Sequence, residues 1–474
     1  MTTVTGDELT PGAENPGAPL ADVPPGSVLQ PLTAGYRRYA LWMLMIIYTL
    51  NFLDRSVINI LAEPIKEDLG LSDTQLGMMS GFAFAVFYTV LGIPIARLAE
   101  RKNRPVIIGI SVAAWSLFTA LSGFAQNFVH LILARIGVGV GEAGCSPPAH
   151  SLIVDYVPKE KRASAIAFYS IGTPLGSLLG LLLGGLIAES YGWRTAFFVC
   201  GAPGVIIALF AIFTLPEPRK KLTAAIRAKN AAEGPSLSTA MRILRSKRTF
   251  WLIAGAAAIK ALIGYGHAPF TASFFLRVHN AELEVRADQL SAFFNNVFGS
   301  SMDLGPLGFL SIALSAVTGV AGVLGTIIGG AVSDRYAKKD LRAYVVIPAV
   351  LSLLAIPLYA AALLSPSVPM AIILLAVVAL LGAFWYGPVY ATAQSIVEPR
   401  MRATTAAILL FIINLIGLGM GPVAVGALSD GLSGSGMGAA EGVRWALIAT
   451  EFLNILAFAL FWMARKTIRE ETVS

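Results

Sequence analysis

The chain is 474 residues long, 56% hydrophobic and 13% charged, with a mean hydropathy of +0.71, whereas an ordinary soluble domain carries about 25% charged residues. These values exclude the soluble classes and predict an all-α membrane protein. The formal charge of +7 gathers at the ends of apolar runs, so it reports topology and argues against a nucleic-acid partner.

Residues 1–36 are rich in Pro, Gly, Thr and acids; they predict a disordered cytoplasmic tail, and they lack the basic start and apolar core of a signal peptide. Twelve apolar runs follow, each near the 20 or so residues that cross a hydrocarbon core of roughly 30 Å. They lie near 39–61, 75–97, 105–125, 128–153, 163–188 and 195–215, then 249–276, 307–332, 343–364, 368–394, 404–428 and 442–464. The expected organisation is an N-terminal six-helix bundle (37–216), a basic cytoplasmic linker with surface helices (217–248), a C-terminal six-helix bundle (249–466) and a short tail (467–474).

The first span contains NFLDRSVIN, which places Asp54 and Arg55 inside an otherwise apolar helix. A charge at that depth costs roughly 3 kcal/mol on insertion scales, so each needs an opposite charge nearby. After the second span comes ARLAERKNRP, with Glu100, Arg101 and Arg104. The fourth span, ARIGVGVGEAGCSPP, sets Arg135, Gly139 and Glu142 on one helix face. Rise per residue puts Glu142 and Asp54 at overlapping depths. Asp54, Arg55, Arg135 and Glu142 are therefore expected to form a buried cluster lining a central aqueous cavity. Two carboxylates near two arginines compete for the same counter-charge, a setting in which one carboxylate gains proton affinity. Asp54 and Glu142 are the candidate proton carriers, and Arg55 and Arg135 the partners for an anionic substrate.

Gly139, Gly141 and Gly144 spell the dinucleotide pattern, but they sit inside an apolar helix with no preceding strand, so close helix packing is the reading. Gly176, Gly180 and Gly184 in the fifth span form a second seam of small residues. Cys145 and Cys200 lie in apolar segments and suggest neither a disulfide framework nor a metal site. Of the four histidines, only His267 is expected in the interior of a span, as cavity lining, with Lys260 one face away as a further candidate charge. The tenth span, LLGAFWYGPVY, is uncharged where the fourth carries Arg135 and Glu142; Phe384, Trp385, Tyr386 and Tyr390 are expected to make an aromatic wall, with Trp385 and Tyr386 touching substrate. These aromatics equally suit packing of the C-terminal half.

The two sets of six look like copies. GAVSDRYAKK, with Asp334 and Arg335, repeats the loop after the second span, and PRMRATTAAI repeats PKEKRASAIA. Internal repeats of this kind are what a transporter with two rocking halves requires. The repeated acid-arginine loops predict a cytoplasmic gate of ion pairs made by Glu100, Arg101, Arg104, Asp334 and Arg335 across the halves. Lysine and arginine alternate between loops so that both termini are expected in the cytoplasm, in a plasma (inner) membrane protein.

Over residues 37–465 the chain resembles the major facilitator superfamily, through the two loop motifs. Through LNFLDR (50–55), GVGEAGCSPPAHSLIVDYVPKEKRASAIAFY (139–169) and IGTPLGSLLGLLLGG (171–185) it is similar to the Spinster family. Glu100 stands where that loop motif usually has aspartate and Asn103 where it has glycine, which leaves the charge pattern intact. With the charge cluster, the resemblance points to a proton-coupled secondary transporter working by alternating access in the lipid bilayer, expected as a monomer, and the Spinster resemblance implies lysolipids or sphingoid phosphates as substrates. Sugars, organic acids or drugs are the alternative within the superfamily; a lipid scramblase or a membrane-embedded lipid enzyme is the alternative outside it. No enzyme is expected, since G-x-S-x-G and H-E-x-x-H are absent, and neither cofactor nor ATP is expected, since no G-x-x-x-x-G-K-[ST] loop occurs. The proton gradient is the expected driving force.

Overall fold

A computed structural model describes residues 33–158, 161–218, 237–299, 301–398 and 401–473. Ten helical stretches in it are long and apolar enough to cross a membrane. Two of them, Ser164–Thr214 (51 residues) and Thr404–Ala464 (61 residues), would measure roughly 75 and 90 Å if straight, more than twice a hydrocarbon core of about 30 Å. Each folds back at glycine: Gly192 with φ 82°, and Gly436 and Gly438 with φ 100° and 79°, a left-handed backbone that a side chain disfavours. Counting each as two crossings gives twelve.

We number these α1 (Ala34–Leu69), α2 (Asp73–Ala99), α3 (Arg104–Ser122), α4 (Phe128–Tyr156), α5 (164–191), α6 (193–214), α7 (Arg248–Val278), α8 (Pro306–Ala337), α9 (Ala343–Leu364), α10 (Val368–Ser395), α11 (404–435) and α12 (438–464). The ends are set locally. Gly70, at φ 61°, closes α1; Ser72 and Gln75 form a reciprocal capping box that opens α2; Asn103 and Asn127 cap α3 and α4 by accepting from the backbone N–H three residues on. The expected tail and linker fall largely on residues 1–32 and 219–236, which lie outside the described residues. The described end of the linker is an amphipathic helix, Leu237–Ser246, with Ala240 and Leu244 buried against the C-terminal half. A further helix, Asn280–Phe298, follows α7. Its polar sequence gave no sign of a span, and the sequence reading has no element there.

Glycine controls how closely helices approach. A Cβ on Gly176 would meet the backbone oxygen of Thr49, one on Gly180 the oxygen of Leu53 at 2.5 Å, and one on Gly184 a methyl of Val57 at 2.7 Å; the seam expected on α5 lies on α1. Gly139 and Gly141 in α4 stand equally close to the backbone of Phe84 and Trp115, so the dinucleotide-like pattern is helix packing. In the C-terminal half, Gly417 and Gly421 of α11 meet α7 at Ala261 and Leu262, and Gly325 and Gly329 of α8 meet α10 at Leu380 and Phe384.

The repeat shows in the breaks. α4 leaves the helix straight after Glu142 and resumes at Ser146 with Pro147 and Pro148 in its first turn; α10 leaves at Gly382 and resumes at Tyr386 before Pro388. The halves meet through α1 with α7, α2 with α11 and α5 with α8. Wide π turns occur in three of these helices, at Met78–Phe82 in α2, Val317–Ala321 in α8 and Ile413–Leu418 in α11.

Replacing Gly180 with Leu forces α5 off α1, and overpacking of this kind costs about 1–3 kcal/mol or more. We expect Gly180→Leu to lower the thermal unfolding midpoint of the purified protein by about 1–3 °C. Gly92→Ala, where a Cβ has nothing within 4 Å, should leave it unchanged.

Candidate functional site

The four charges of the first and fourth spans lie in the middle of the N-terminal half. Arg55 Nε donates to Glu142 Oε2 at 2.6 Å; the arginine side chain is 14% exposed and the carboxylate fully buried. The Arg55 guanidinium also sits over three rings, Phe52, Phe84 and Tyr88, at 5.0, 4.8 and 4.5 Å. Such contacts are worth about 0.5–2 kcal/mol each, and this aromatic cage was not foreseen. Arg135 flanks the same Phe84 ring at 5.7 Å.

Asp54, although next to Arg55 in sequence, points elsewhere. Its Oδ2 accepts from the Thr119 hydroxyl at 3.2 Å and its Oδ1 is buried without a hydrogen-bond partner. Arg135 Nε and Nη1 and Glu142 Oε1 are in the same condition. The four charges thus come together, but only one pair is in contact: Asp54 and Arg135 lie within electrostatic reach of each other with no ion pair between them. A helix turns 100° per residue, so neighbours 54 and 55 cannot both face α4.

The aromatic wall also divides. Trp385 is buried in the C-terminal core, and Phe384 packs on Gly329 of α8. Tyr386, stacked on Trp385 at 4.1 Å, is 44% exposed. Around Arg55, half-buried tyrosines come from both halves: Tyr48 and Tyr88 from one, Tyr265 and Tyr390 from the other. His267 is buried on α7 beside Glu451 of α12. It is not alone among membrane helices, because His150 lies in α4 with its ring edge-on to Tyr169. Among the described residues no cluster of His, Cys, Asp and Glu suits a metal ion.

At the end carrying the termini, the described members of the expected gate make no ion pair between the halves. The side chains of Glu100 and Arg101 are outside the described residues. Arg104 is buried, but it pairs within its own half, with Asp155 at 2.7 Å and with Glu217. Asp334 accepts from Tyr344, also in its own half, and Arg335 is exposed.

Between described residues, the ion pairs that join the halves all lie at the opposite end. Arg277 of α7 makes two hydrogen bonds of 2.6 Å to Glu63 of α1 and two of 2.8 Å to Asp73 of α2. Lys66 and Ser429 also donate to Asp73. Asp430 of α11 accepts from the backbone N–H groups of Asp73 and Thr74, which caps the start of α2, and Glu189 of α5 accepts from the N–H of Gly308, which caps the start of α8. Each carboxylate sits at a helix N-terminus, where backbone dipoles favour it. Sequence reading missed this closure because its members stand at helix ends, where a charge looks solvated.

Two six-helix bundles related by a repeat, meeting on α1, α2, α5, α7, α8 and α11 around buried charges, set the frame for comparison. The family model described as Major Facilitator Superfamily matches residues 44–422. The chain belongs to the major facilitator superfamily. It is thus an integral, multi-pass membrane transporter that works by alternating access on a small-molecule substrate. An MFS-type efflux pump of Mycolicibacterium smegmatis is 32% identical over 92% of this chain and 94% of its own. A probable L-galactonate transporter of Escherichia coli K12 is 27% identical over 67% of each chain. The crystal structure of a bacterial homologue of the human lysosomal transporter Spinster, in an inward-facing and unoccupied conformation, aligns with a TM-score of 0.81 at 32% identity, covering 94% of this chain and all of that one. Within the superfamily this transporter therefore resembles Spinster.

Two measurements follow from the geometry. Arg55→Met strands a buried carboxylate, at a cost of about 3–5 kcal/mol; the double variant Arg55→Met/Glu142→Leu should recover most of it, read as thermal unfolding of all three proteins. Arg277→Gln removes four hydrogen bonds between the halves. Spin labels at the exposed positions Glu67 and Asn280 should then report a longer and broader distance distribution than in the parent.

Proposed function

We propose that this protein is a proton-coupled secondary transporter of an amphipathic or organic anion, with Asp54 and Glu142 as proton carriers and Arg55 as the group that meets the anionic head. The observation that carries this reading is the site itself: a single Arg55–Glu142 pair, partly exposed on the arginine side, backed by Asp54 and Arg135 with buried atoms that have no partner. An anion that draws Arg55 away leaves Glu142 an unpaired buried carboxylate, which costs several kcal/mol unless it takes up a proton. Anion binding and proton uptake are thereby linked through one guanidinium. The aromatic cage around Arg55 suits an apolar body attached to that head.

The distribution of lysine and arginine supports a cytoplasmic location for both termini and an inner-membrane protein. With that orientation the closure by Glu63, Asp73, Arg277 and Asp430 is periplasmic, which supports reading this arrangement as inward-facing. Lysolipid-like anions follow from the likeness to Spinster. Small hydroxy acids are the second reading, favoured by the L-galactonate transporter among the relatives.

The test is substrate-dependent quenching of a pH-sensitive dye in proteoliposomes, with a panel of lysolipids, sugar acids and neutral sugars. One anionic class should move protons with the parent protein, and Asp54→Asn and Glu142→Gln should each reduce that coupled flux at least tenfold while still folding. Coupled flux that persists in both variants would overturn the assignment.

A further inference from the structure

The C-terminal half contains a second buried polar cluster on α7, α9 and α12, apart from the charges of α1 and α4. Lys260 Nζ donates to Asn454 Oδ1 at 2.8 Å, and Asn454 Nδ2 donates to Glu451 Oε1 at 2.6 Å. The amide thus separates the cation from the anion. Glu451 and Asn454 are buried, whereas Lys260 is half-buried.

The other carboxylate oxygen, Oε2, faces His267 Nδ1 at 3.7 Å. The far side of the ring bears on its tautomer. His267 Nε2 lies 3.0 Å from the Thr450 hydroxyl, whose one proton has the carbonyls of Ala446 and Leu447 to receive it, at 2.8 and 3.1 Å. With that proton kept by a carbonyl, the hydroxyl presents a lone pair to the ring, Nε2 carries the hydrogen, and Nδ1 presents its own lone pair to Glu451. Two acceptors face each other in a buried place, at a distance too long for a hydrogen bond. A single proton between them would close the gap.

Among the described residues no further charged side chain acts on Lys260 or Glu451. From α9, Tyr359 stacks on the imidazole at 4.7 Å. α11 packs on α7 through Gly417 and Gly421, and Arg55 of α1 reaches Tyr265 on the same helix.

We propose that Glu451, facing His267, is a second proton-binding site, and that its protonation frees Lys260 to hold a carboxylate-class anion in the C-terminal half. The proton belongs on the carboxyl group. A neutral acid donating to Nδ1 leaves one buried charge, on Lys260, whereas an imidazolium leaves three. When Glu451 is ionised it neutralises Lys260 through Asn454; when it is protonated, the part-buried ammonium lacks a counter-charge and an anion supplies it. Proton and anion then favour each other's binding, and by linkage the effect is reciprocal.

This inference rests on the reading of the protein as an anion transporter, but its test does not use transport. The readout is the carboxylic acid carbonyl band in infrared difference spectra of the protein in liposomes, taken as parent minus Glu451→Gln at each pH between about pH 6 and pH 9, a subtraction that also removes the band of the hexanoate fraction protonated near pH 6. The parent should show an acid band that grows towards low pH and is missing in Glu451→Gln. Hexanoate should move its appearance to higher pH by about one unit, equivalent to a tenfold linkage. In Lys260→Met, read against Lys260→Met/Glu451→Gln so that Asp54 and Glu142 cancel, the Glu451 band should remain and no longer respond to hexanoate. Superimposable spectra of the parent and Glu451→Gln, or a parent band that hexanoate does not move, would overturn the proposal. Neither result touches the roles of Asp54 and Glu142, whose variants are judged by coupled flux.

Discussion

A buried charge in this bundle must have an opposite charge or a proton, and the arrangement of the protein follows from how sparingly that demand is met. In the N-terminal half the Arg55–Glu142 pair is complete, while Asp54 settles for the hydroxyl of Thr119 and Arg135 keeps nitrogens without partners. A network satisfied at every atom would be rigid and inert. One that is short of partners changes when an anion or a proton arrives, because either arrival alters which groups remain unpaired. The same economy recurs around Lys260, where a neutral amide stands between cation and anion.

The internal repeat also determines how the halves hold together. α2 begins under a carboxylate from α11, Asp430, and α8 begins under a carboxylate from α5, Glu189. These are corresponding helices in the two copies, so one solution to the problem of an uncapped helix start is used twice, each time with the cap supplied by the other half. Closure at that end is therefore built from helix termini as much as from the ion pairs of Arg277. The opposite end spends its charges differently: Arg104, Asp155 and Glu217 tie α3, α4 and the end of α6 into one body.

Much of the fold was legible, because a bilayer imposes a length and a polarity on every span. The apolar runs predicted all twelve crossings, and the spacing of Gly176, Gly180 and Gly184 predicted a packing face that turned out to lie on α1. The identity of the central charges was legible too, since Asp54, Arg55, Arg135 and Glu142 stand out against apolar neighbours. Their pairing was not, because which of two adjacent residues faces α4 depends on helix rotation, and rotation is set by contacts spread over both bundles. Glu63, Asp73 and Arg277 escaped notice at helix ends, as did helix Asn280–Phe298 in its polar sequence. Phe384 and Trp385 were indistinguishable from exposed aromatics until Gly329 and the C-terminal core accounted for them. The partnership of Lys260 with Glu451 spans nearly the length of the C-terminal half, and no local pattern announces it.

The π turns in α2, α8 and α11 have a bearing on how such a molecule moves. A π turn admits one extra residue, so the hydrogen-bond ladder is locally out of step and the helix bends there at little cost. All three turns lie on helices that join the halves. The half of each helix nearer the termini can therefore change direction while the other half stays docked. Opening and closing then need not swing two rigid blocks as wholes: these helices act as articulated levers, each with its joint partway along its length.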